Sequence, residues 1–519
     1  MSTHDSDEEL RLVERDDNDN ESVESVDLIM ETKLQGEGDF GVTMLEAADS
    51  TQMLAVSQYT FLAEVKALAK LFFPVVIAYL IQMSLALTTI AVSGHISAEA
   101  LGATALGFMF CNVTGFAVGY GLCTAVDTLS SQAFGAKDFE AIGTTLIRSL
   151  IILWFLHLPI IVLWCCSEYV LLLCFQEPAV AKQASIFIFM AIPCLYPLLV
   201  FETVKKTLNS MGIVFPVVIC VLMAVVLNIV LSLLLVFVGG QYFPEYQYEA
   251  AAFSYSFSNM MLPFFLISYA SFVGHLQRIL PPLRPVTPFF QDWLTWLKLG
   301  LPGCFMVVSE WAAFEIWALA AGTISTVALA AQSVLLNMLA FCFMLPLGMS
   351  VACSVRVGNH LGAGAPTFAR RVSYLGLVVS SSLVALNSLQ MYFFAPFYSN
   401  FFTTDEAVLV EIQKILPFFV VFMNFDALQG VCGGIFRGSG RQLLGASLNI
   451  VGYWLVAMPI GVTGVFVLHW GLAGIWIGLL LGLMVATPIY LLLVVLSPWK
   501  KLSEQAQKRS VDTEDEPEL

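Results

Sequence analysis

Charge is scarce in this chain. Asp, Glu, Lys and Arg make up 12% of its 519 residues, about half the share of a soluble globular protein. A basic stripe is also lacking, so phosphate neutralisation and nucleic-acid binding are not expected. The 11 cysteines contain no Cys-x-x-Cys pair. They lie scattered in apolar runs as small buried hydrophobes, so neither a disulfide framework nor a zinc site is implied. No basic segment followed by a short apolar run opens the sequence, so a cleaved signal peptide is not expected. The six His residues are isolated from Asp and Cys partners, which argues against a membrane enzyme, and no cofactor is implied.

What the chain has in abundance is apolar sequence. Hydrophobic residues make up 58% and the mean hydropathy is +0.82. The net charge of −16 belongs mainly to the tails. Residues 1–50 hold 16 acids against 3 bases, and residues 498–519 hold 6 against 4. The 447 residues between them hold 17 against 16. Dense acid with little apolar content predicts a disordered N-terminal tail.

A helix crossing a bilayer needs about 20 mostly apolar residues. Residues 471–497 carry no charge at all, and 214–240 have Asn228 and Ser232 as their only polar side chains. Continuing the scan places spans near 69–93, 103–125, 146–166, 184–204, 214–240, 251–275, 299–322, 328–354, 373–397, 415–436, 443–468 and 471–497. With both termini cytosolic, this spacing puts 16 Lys and Arg residues at the inner side and only Lys182 and Lys414 outside, as the positive-inside rule requires. A one-span shift would scramble that asymmetry.

The halves repeat. Gly94-His95-Ile96-Ser97 followed by Ala100-Leu101 matches Gly322-Thr323-Ile324-Ser325 followed by Ala328-Leu329. Phe134-Gly135-Ala136 matches Leu361-Gly362-Ala363, and Phe201-Glu202 resembles Phe425-Asp426. An even number of spans per repeat keeps the halves in one orientation, as in parallel-repeat transporters. The expected fold is therefore all-α and polytopic, with twelve transmembrane helices in two six-helix lobes. The expected organisation is a disordered acidic cytosolic tail (1–65), an N-terminal lobe (66–277), a cytosolic linker (278–298), a C-terminal lobe (299–497) and a cytosolic tail (498–519).

Ionisable groups inside a bilayer are costly and mark function by default. Glu310 falls mid-span, and Glu315, five residues on, lies about 140° around the helix and on a different face. Asp426 falls mid-span in the tenth helix with Gln429 on its face. No Lys or Arg shares their depth, so each acid must take up a proton or bind a cation. These three are the candidate proton-coupling and cation-binding residues. Glu315 lies near the face of Trp311, and a carboxylate beside an aromatic ring suits a lipophilic cation. Gln82, Asn112, Trp311, Asn337, Gln429, Asn449 and Tyr453 are the candidate cavity-lining residues. Glu202, at the inner end of its span, reads as a local ion pair with Lys205 or Lys206.

Several stretches carry a resemblance: Ser309-Glu310-Trp311-Ala312-Ala313-Phe314-Glu315, SVRVGNHLGAG at 354–364, FDALQGVCGGIFRGSG at 425–440, and in the first half Gln82, Asn112-Val113-Thr114-Gly115 and Asp127 through Gln132. Over roughly 65–500 the chain resembles the eukaryotic branch of the multidrug and toxin extrusion (MATE) family. The resemblance implies two six-helix lobes in a V that alternate access. It implies an exporter of organic cations or zwitterions in exchange for protons, or for sodium in some members, acting as a monomer. The family's seventh-helix acids map to Glu310 and Glu315, and its tenth-helix acid to Asp426. The chain departs from the family at three places: the first helix carries Gln82 rather than an acid, the eighth carries Asn337, and the aromatic pair after the first Glu is reduced to Trp311-Ala312. A lipid-linked oligosaccharide flippase of the same wider superfamily is the alternative. It would need cationic groups in its cavity, whereas the mid-membrane charge here is acidic. Either a plasma membrane or a vacuolar or lysosomal-type membrane fits.

Overall fold

Twelve helices long and apolar enough to cross a membrane follow one another in the computed structural model, which describes residues 42–174, 176–280 and 289–511. They are α1 (Phe61–Ile96), α2 (Ala98–Gly135), α3 (Phe139–Cys165), α4 (Pro178–Ser210), α5 (Phe215–Gln241), α6 (Pro244–Phe272), α7 (Trp293–Ile324), α8 (Thr326–Gly362), α9 (Pro366–Phe393), α10 (Glu406–Ser439), α11 (Gln442–Val467) and α12 (Leu472–Val495). Among the described residues there is no strand. Large apolar side chains such as Phe155, Leu222, Phe305, Leu386 and Leu455 stand exposed on the outer faces, the pattern of a chain solvated by lipid. The protein is an integral, multi-pass membrane protein.

The helices outrun the apolar windows. α2 reaches Gly135 and α8 reaches Gly362, about ten and eight residues beyond the hydropathy limits. Polar stretches such as Asp127–Gln132 stay helical because they are packed inside protein. α7 begins at Trp293, within the expected linker, and residues 281–288 lie outside the described residues. The helix carrying α1 begins at Val42, within the segment expected as the N-terminal tail. Its Ala-, Leu-, Met- and Glu-rich sequence consists of strong helix formers. Residues 1–41 lie outside the described residues. The C-terminal tail also departs from a plain tail: Trp499–Val511 is a helix, α13.

The repeat motifs have local causes. Ser97 and Ser325 are the N-caps of α2 and α8. Each has extended backbone, and each accepts a hydrogen bond at Oγ from the amide three residues on, Ala100 or Ala328, at 3.0 Å. A capping Ser satisfies one of the amides that a helix start leaves free.

The glycine matches explain the junction between halves. A Cβ on Gly135 would collide with the Asn359 carbonyl, and one on Gly362 with the Gln132 carbonyl. An offset of 227 residues relates Gly135 to Gly362 and Gln132 to Asn359, so the contact is reciprocal. Similarly, Gly121 lies against the backbone of Gly303 and Cys304, while Gly348 lies against Val76. The offset carries Gly121 to Gly348 and Val76 to Gly303. Reciprocal contact between equivalent positions is the mark of a pseudo-two-fold axis, here between α2 and α8. Because the obstacle is backbone, Gly362→Val is expected to cost about 1–3 kcal/mol. It should lower the melting temperature of detergent-purified protein by a few degrees, and an unchanged value would show that this contact does not hold the halves together.

The end of the bundle where α13 sits is the base. There Trp499 and Leu502 join a cluster containing Leu68, Phe72 and Val76 of the N-terminal lobe and Met349, Ile435 and Tyr490 of the C-terminal lobe. A second mixed cluster joins Leu122, Leu153 and Leu199 to Trp296 and Leu299. Toward the other end the lobes have separate cores. Phe108, Phe187, Leu195 and Tyr255 pack in one. Trp317, Leu335, Phe419 and Trp476 pack in the other. The lobes are thus sealed together at the base and pack individually away from it.

Candidate functional site

Glu310 lies midway along α7, on the side facing α11. Asn449 donates from Nδ2 to Glu310 Oε2 at 3.4 Å and to the Met306 carbonyl at 2.8 Å. The Asn449 Oδ1 accepts from Gln429 Nε2 at 2.8 Å and from the Tyr490 hydroxyl at 2.6 Å. The Tyr453 hydroxyl lies 3.1 Å from Gln429 Oε1 and 3.3 Å from Asp426 Oδ1, with one proton to donate between them. The result is one hydrogen-bonded chain from Glu310 through Asn449, Gln429 and Tyr453 to Asp426, contributed by α7, α10 and α11 with Tyr490 of α12. Asp426 is 4% exposed, and Asn449 and Tyr453 are 1% exposed. Phe314 packs over the chain, its ring centroid 5.8 Å from that of Tyr453.

Local backbone supports this placement. Ile450–Ala457 is π-helical, a widened turn common at functional sites, and it carries Tyr453. Asn112 opens a second π-helical segment, Asn112–Phe116, in α2.

Glu315 faces elsewhere. Its carboxyl lies beside the Asn112 side chain, across the divide between lobes. Trp311, on the same helix, meets the Tyr120 ring edge-on at 5.9 Å. The two Glu residues of α7 therefore diverge, one into the C-terminal lobe and the other toward the N-terminal lobe. Among the described residues none of Glu310, Glu315 and Asp426 has a cation within ion-pair distance.

The remaining sequence candidates divide. Asn112 and Trp311 sit at the interlobe face and are half-buried. Gln429, Asn449 and Tyr453, expected along a cavity wall, are instead buried in the C-terminal lobe as the link between two acids. The cause is mutual satisfaction, since buried amides and hydroxyls seek partners. Gln82 is half-buried in α1, away from this chain. Asn337 donates to the carbonyl of Ser333 in its own helix at 2.8 Å and joins neither group. Tyr490 escaped the sequence reading. Its one signal was a phenolic hydroxyl in an uncharged span.

At the base a second polar group was also missed. Glu202 pairs with Lys205 at 2.5 Å, as its spacing suggested. Lys206 turns away and binds Asp127 Oδ2 at 2.5 Å. Among the described residues no cluster of three or more His, Cys, Asp or Glu side chains suits a metal ion.

The comparisons agree with this architecture. The family model described as MatE matches residues 74–234 and 302–463, one match in each lobe. Multidrug and toxin extrusion protein 2 of Mus musculus is 33% identical over 86% of this chain and 77% of its own length. Multidrug and toxin extrusion protein 1 of Danio rerio is 32% identical over 87% of this chain and 76% of its own. The crystal structure of the eukaryotic MATE transporter AtDTX14 superposes with a TM-score of 0.82 at 27% identity, over 87% of this chain and 99% of that one. With both lobes matched, and relatives of this identity across most of its length, the chain belongs to the multidrug and toxin extrusion (MATE) family of transporters.

Proposed function

We propose that the protein exports organic cations or zwitterions in exchange for protons, with Glu310 and Asp426 carrying the proton and Glu315 helping to bind the substrate. The observation that supports this most is the chain linking two membrane-buried acids through Asn449, Gln429 and Tyr453, with no cation among the described residues paired to either end. Unpaired carboxylates in a low-dielectric setting are costly. Each is relieved by a proton or by a cationic ligand, and having one exclude the other is the chemical core of exchange. The linking amides and hydroxyls can reverse or shift their hydrogen bonds, so protonation of one acid is felt at the other. The names of the curated relatives, which are extrusion proteins, agree with the direction of transport.

The substrate side is the interlobe face. Glu315 offers charge, Asn112 a polar contact, and Trp311 with Tyr120 an aromatic surface, the combination that attracts lipophilic cations. Away from the base the two lobes pack in separate cores, so on this reading the exit lies at that end. Both termini are assigned to the cytosol from the basic asymmetry, which makes the base the cytosolic end and the far end the exit. A protease added to intact cells should spare tags at Met1 and Leu519, and cleavage of either would reverse the assignment.

The activity test uses proteoliposomes loaded with a fluorescent organic cation under an imposed pH or sodium gradient. A pH gradient alone should drive transport against the cation's own gradient. Transport driven by sodium alone would replace the coupling ion. Movement of a lipid-linked pyrophosphate sugar with no cation transport would support the flippase reading instead.

A further inference from the structure

Asp127 of α2 sits between two cations. Lys206 of α4, in its own lobe, holds Asp127 Oδ2 at 2.5 Å, and Arg437 of α10, in the other lobe, approaches the same oxygen with Nε at 3.8 Å. The side chains of Asp127, Lys206 and Arg437 are 8%, 13% and 11% exposed. Arg437 Nη2 donates to Ser350 Oγ at 2.9 Å, while its Nε is buried without a hydrogen-bond partner. That nitrogen stands 3.8 Å from the Asp127 carboxylate, beyond hydrogen-bond distance. Around the trio the lobes are stitched together. Thr128 Oγ1 donates to the Arg437 carbonyl at 2.5 Å, Gln132 Nε2 donates to the Gly438 carbonyl at 3.0 Å, and Gln442 Nε2 donates to Thr128 Oγ1 at 2.6 Å. From α13, Arg509 donates to Gln132 Oε1 at 2.8 Å.

We propose that Asp127 is the latch of the base, and that Lys206 regulates it by competing with Arg437 for the same carboxylate. Three observations support this reading. The Asp127–Arg437 contact crosses the lobe boundary, so it must break when the base opens. The trio has no counterpart in the repeat: the 227-residue offset of α2 and α8 carries Asp127 to Ser354, and the 224-residue offset that relates Phe201-Glu202 to Phe425-Asp426 carries Lys206 to Gly430 and Arg437 back to Ile213. The charges therefore mark only one of the two symmetry-related junctions, which packing alone does not require. Finally, Lys206 belongs to the same lobe as Asp127 and contacts it at 2.5 Å, so it is placed to keep the carboxylate from being stranded when Arg437 leaves. Stranding a buried charge would raise the cost of opening sharply. Sharing lowers the strength of the closed contact and the cost of breaking it. These are positioning residues for the conformational cycle, and the proposal rests on the reading that the lobes alternate.

The two partners of Asp127 make opposite predictions. Asp127→Asn leaves two cations facing each other and should loosen the base. Lys206→Met frees the carboxylate for Arg437 and should tighten it. Hydrogen–deuterium exchange on the full-length protein in nanodiscs reads this without any transport, so it stands even if the substrate assignment fails. In Asp127→Asn, exchange across residues 126–138 and 434–442 should rise about tenfold, the change that accompanies about 1.4 kcal/mol. In Lys206→Met it should fall several-fold. In the double variant Lys206→Met can relieve only the repulsion between the two cations, so exchange should stay at or above the wild-type level, because the carboxylate it competes for is gone. If Asp127→Asn does not fold, Lys206→Met and Arg437→Gln carry the test, expected to move exchange down and up. Exchange moving the same way in the Lys206 and Asp127 or Arg437 variants, or a double variant that exchanges more slowly than the wild type, overturns the proposal.

Discussion

Glu310→Gln is expected to abolish gradient-driven cation transport while leaving the folded protein intact. Gln has the shape of a protonated Glu and can still accept from Asn449, whose Nδ2 lies 3.4 Å from the carboxylate. Packing in α7 is therefore preserved, and burying an amide in place of an acid relieves a cost. What is lost is the ability to alternate between neutral and charged forms. A gradient of two pH units is worth about 2.8 kcal/mol per proton, enough for about 100-fold accumulation of a cation at one proton per cation. Wild-type vesicles should approach that ratio. Glu310→Gln vesicles should stay near onefold, with an unchanged elution profile and melting temperature. Accumulation near the wild-type level would remove Glu310 from the coupling route and make Asp426 the next candidate.

Tyr453→Phe tests the link rather than its ends. Its hydroxyl is the hydrogen-bond partner the structure gives Asp426 among the described residues, and it also reaches Gln429. Phe fills the ring site beside Phe314, so apolar packing survives. The buried acceptors left behind cost about 1–3 kcal/mol each, and the path between the acids is cut between Gln429 and Asp426. Turnover should fall roughly tenfold to hundredfold, with a smaller change in the apparent affinity for a cation bound at Glu315 on the other face of α7. Turnover within a factor of about two would show that Asp426 and Glu310 act independently.

The spans were legible because a bilayer tolerates little else than apolar helix, and the twelve windows coincide with the twelve helices. The repeat was legible at the places where backbone chemistry is strict: a capping Ser at 97 and 325, and glycines at 135 and 362 where one helix backbone touches another. The acids were legible because their cost is set by depth alone. Their partners were not, since Asn449 and Tyr453 look the same in sequence whether they line a cavity or join two carboxylates. The π-helical turn at Ile450–Ala457 alters the face each presents, and nothing in the apolar sequence marks it. Asp127 shows a second limit. Glu202 has Lys205 three residues on and Lys206 four on, and local spacing does not say which it takes. The structure gives Lys205 to Glu202 and sends Lys206 to an acid 79 residues earlier in the chain. Helix ends were the least legible, because α2 and α8 continue past their apolar windows into polar stretches held by the opposite lobe.

The most direct measurement of the exchange claim is proton release on substrate binding. Purified protein in weakly buffered detergent solution would be mixed with a saturating organic cation while a pH indicator is followed. If Glu310 and Asp426 hold a proton that a cation displaces, the wild-type protein should release about one proton per cation bound, in proportion to occupancy. Glu310→Gln should release none. Stoichiometric cation binding by the wild-type protein with no proton released would contradict the account.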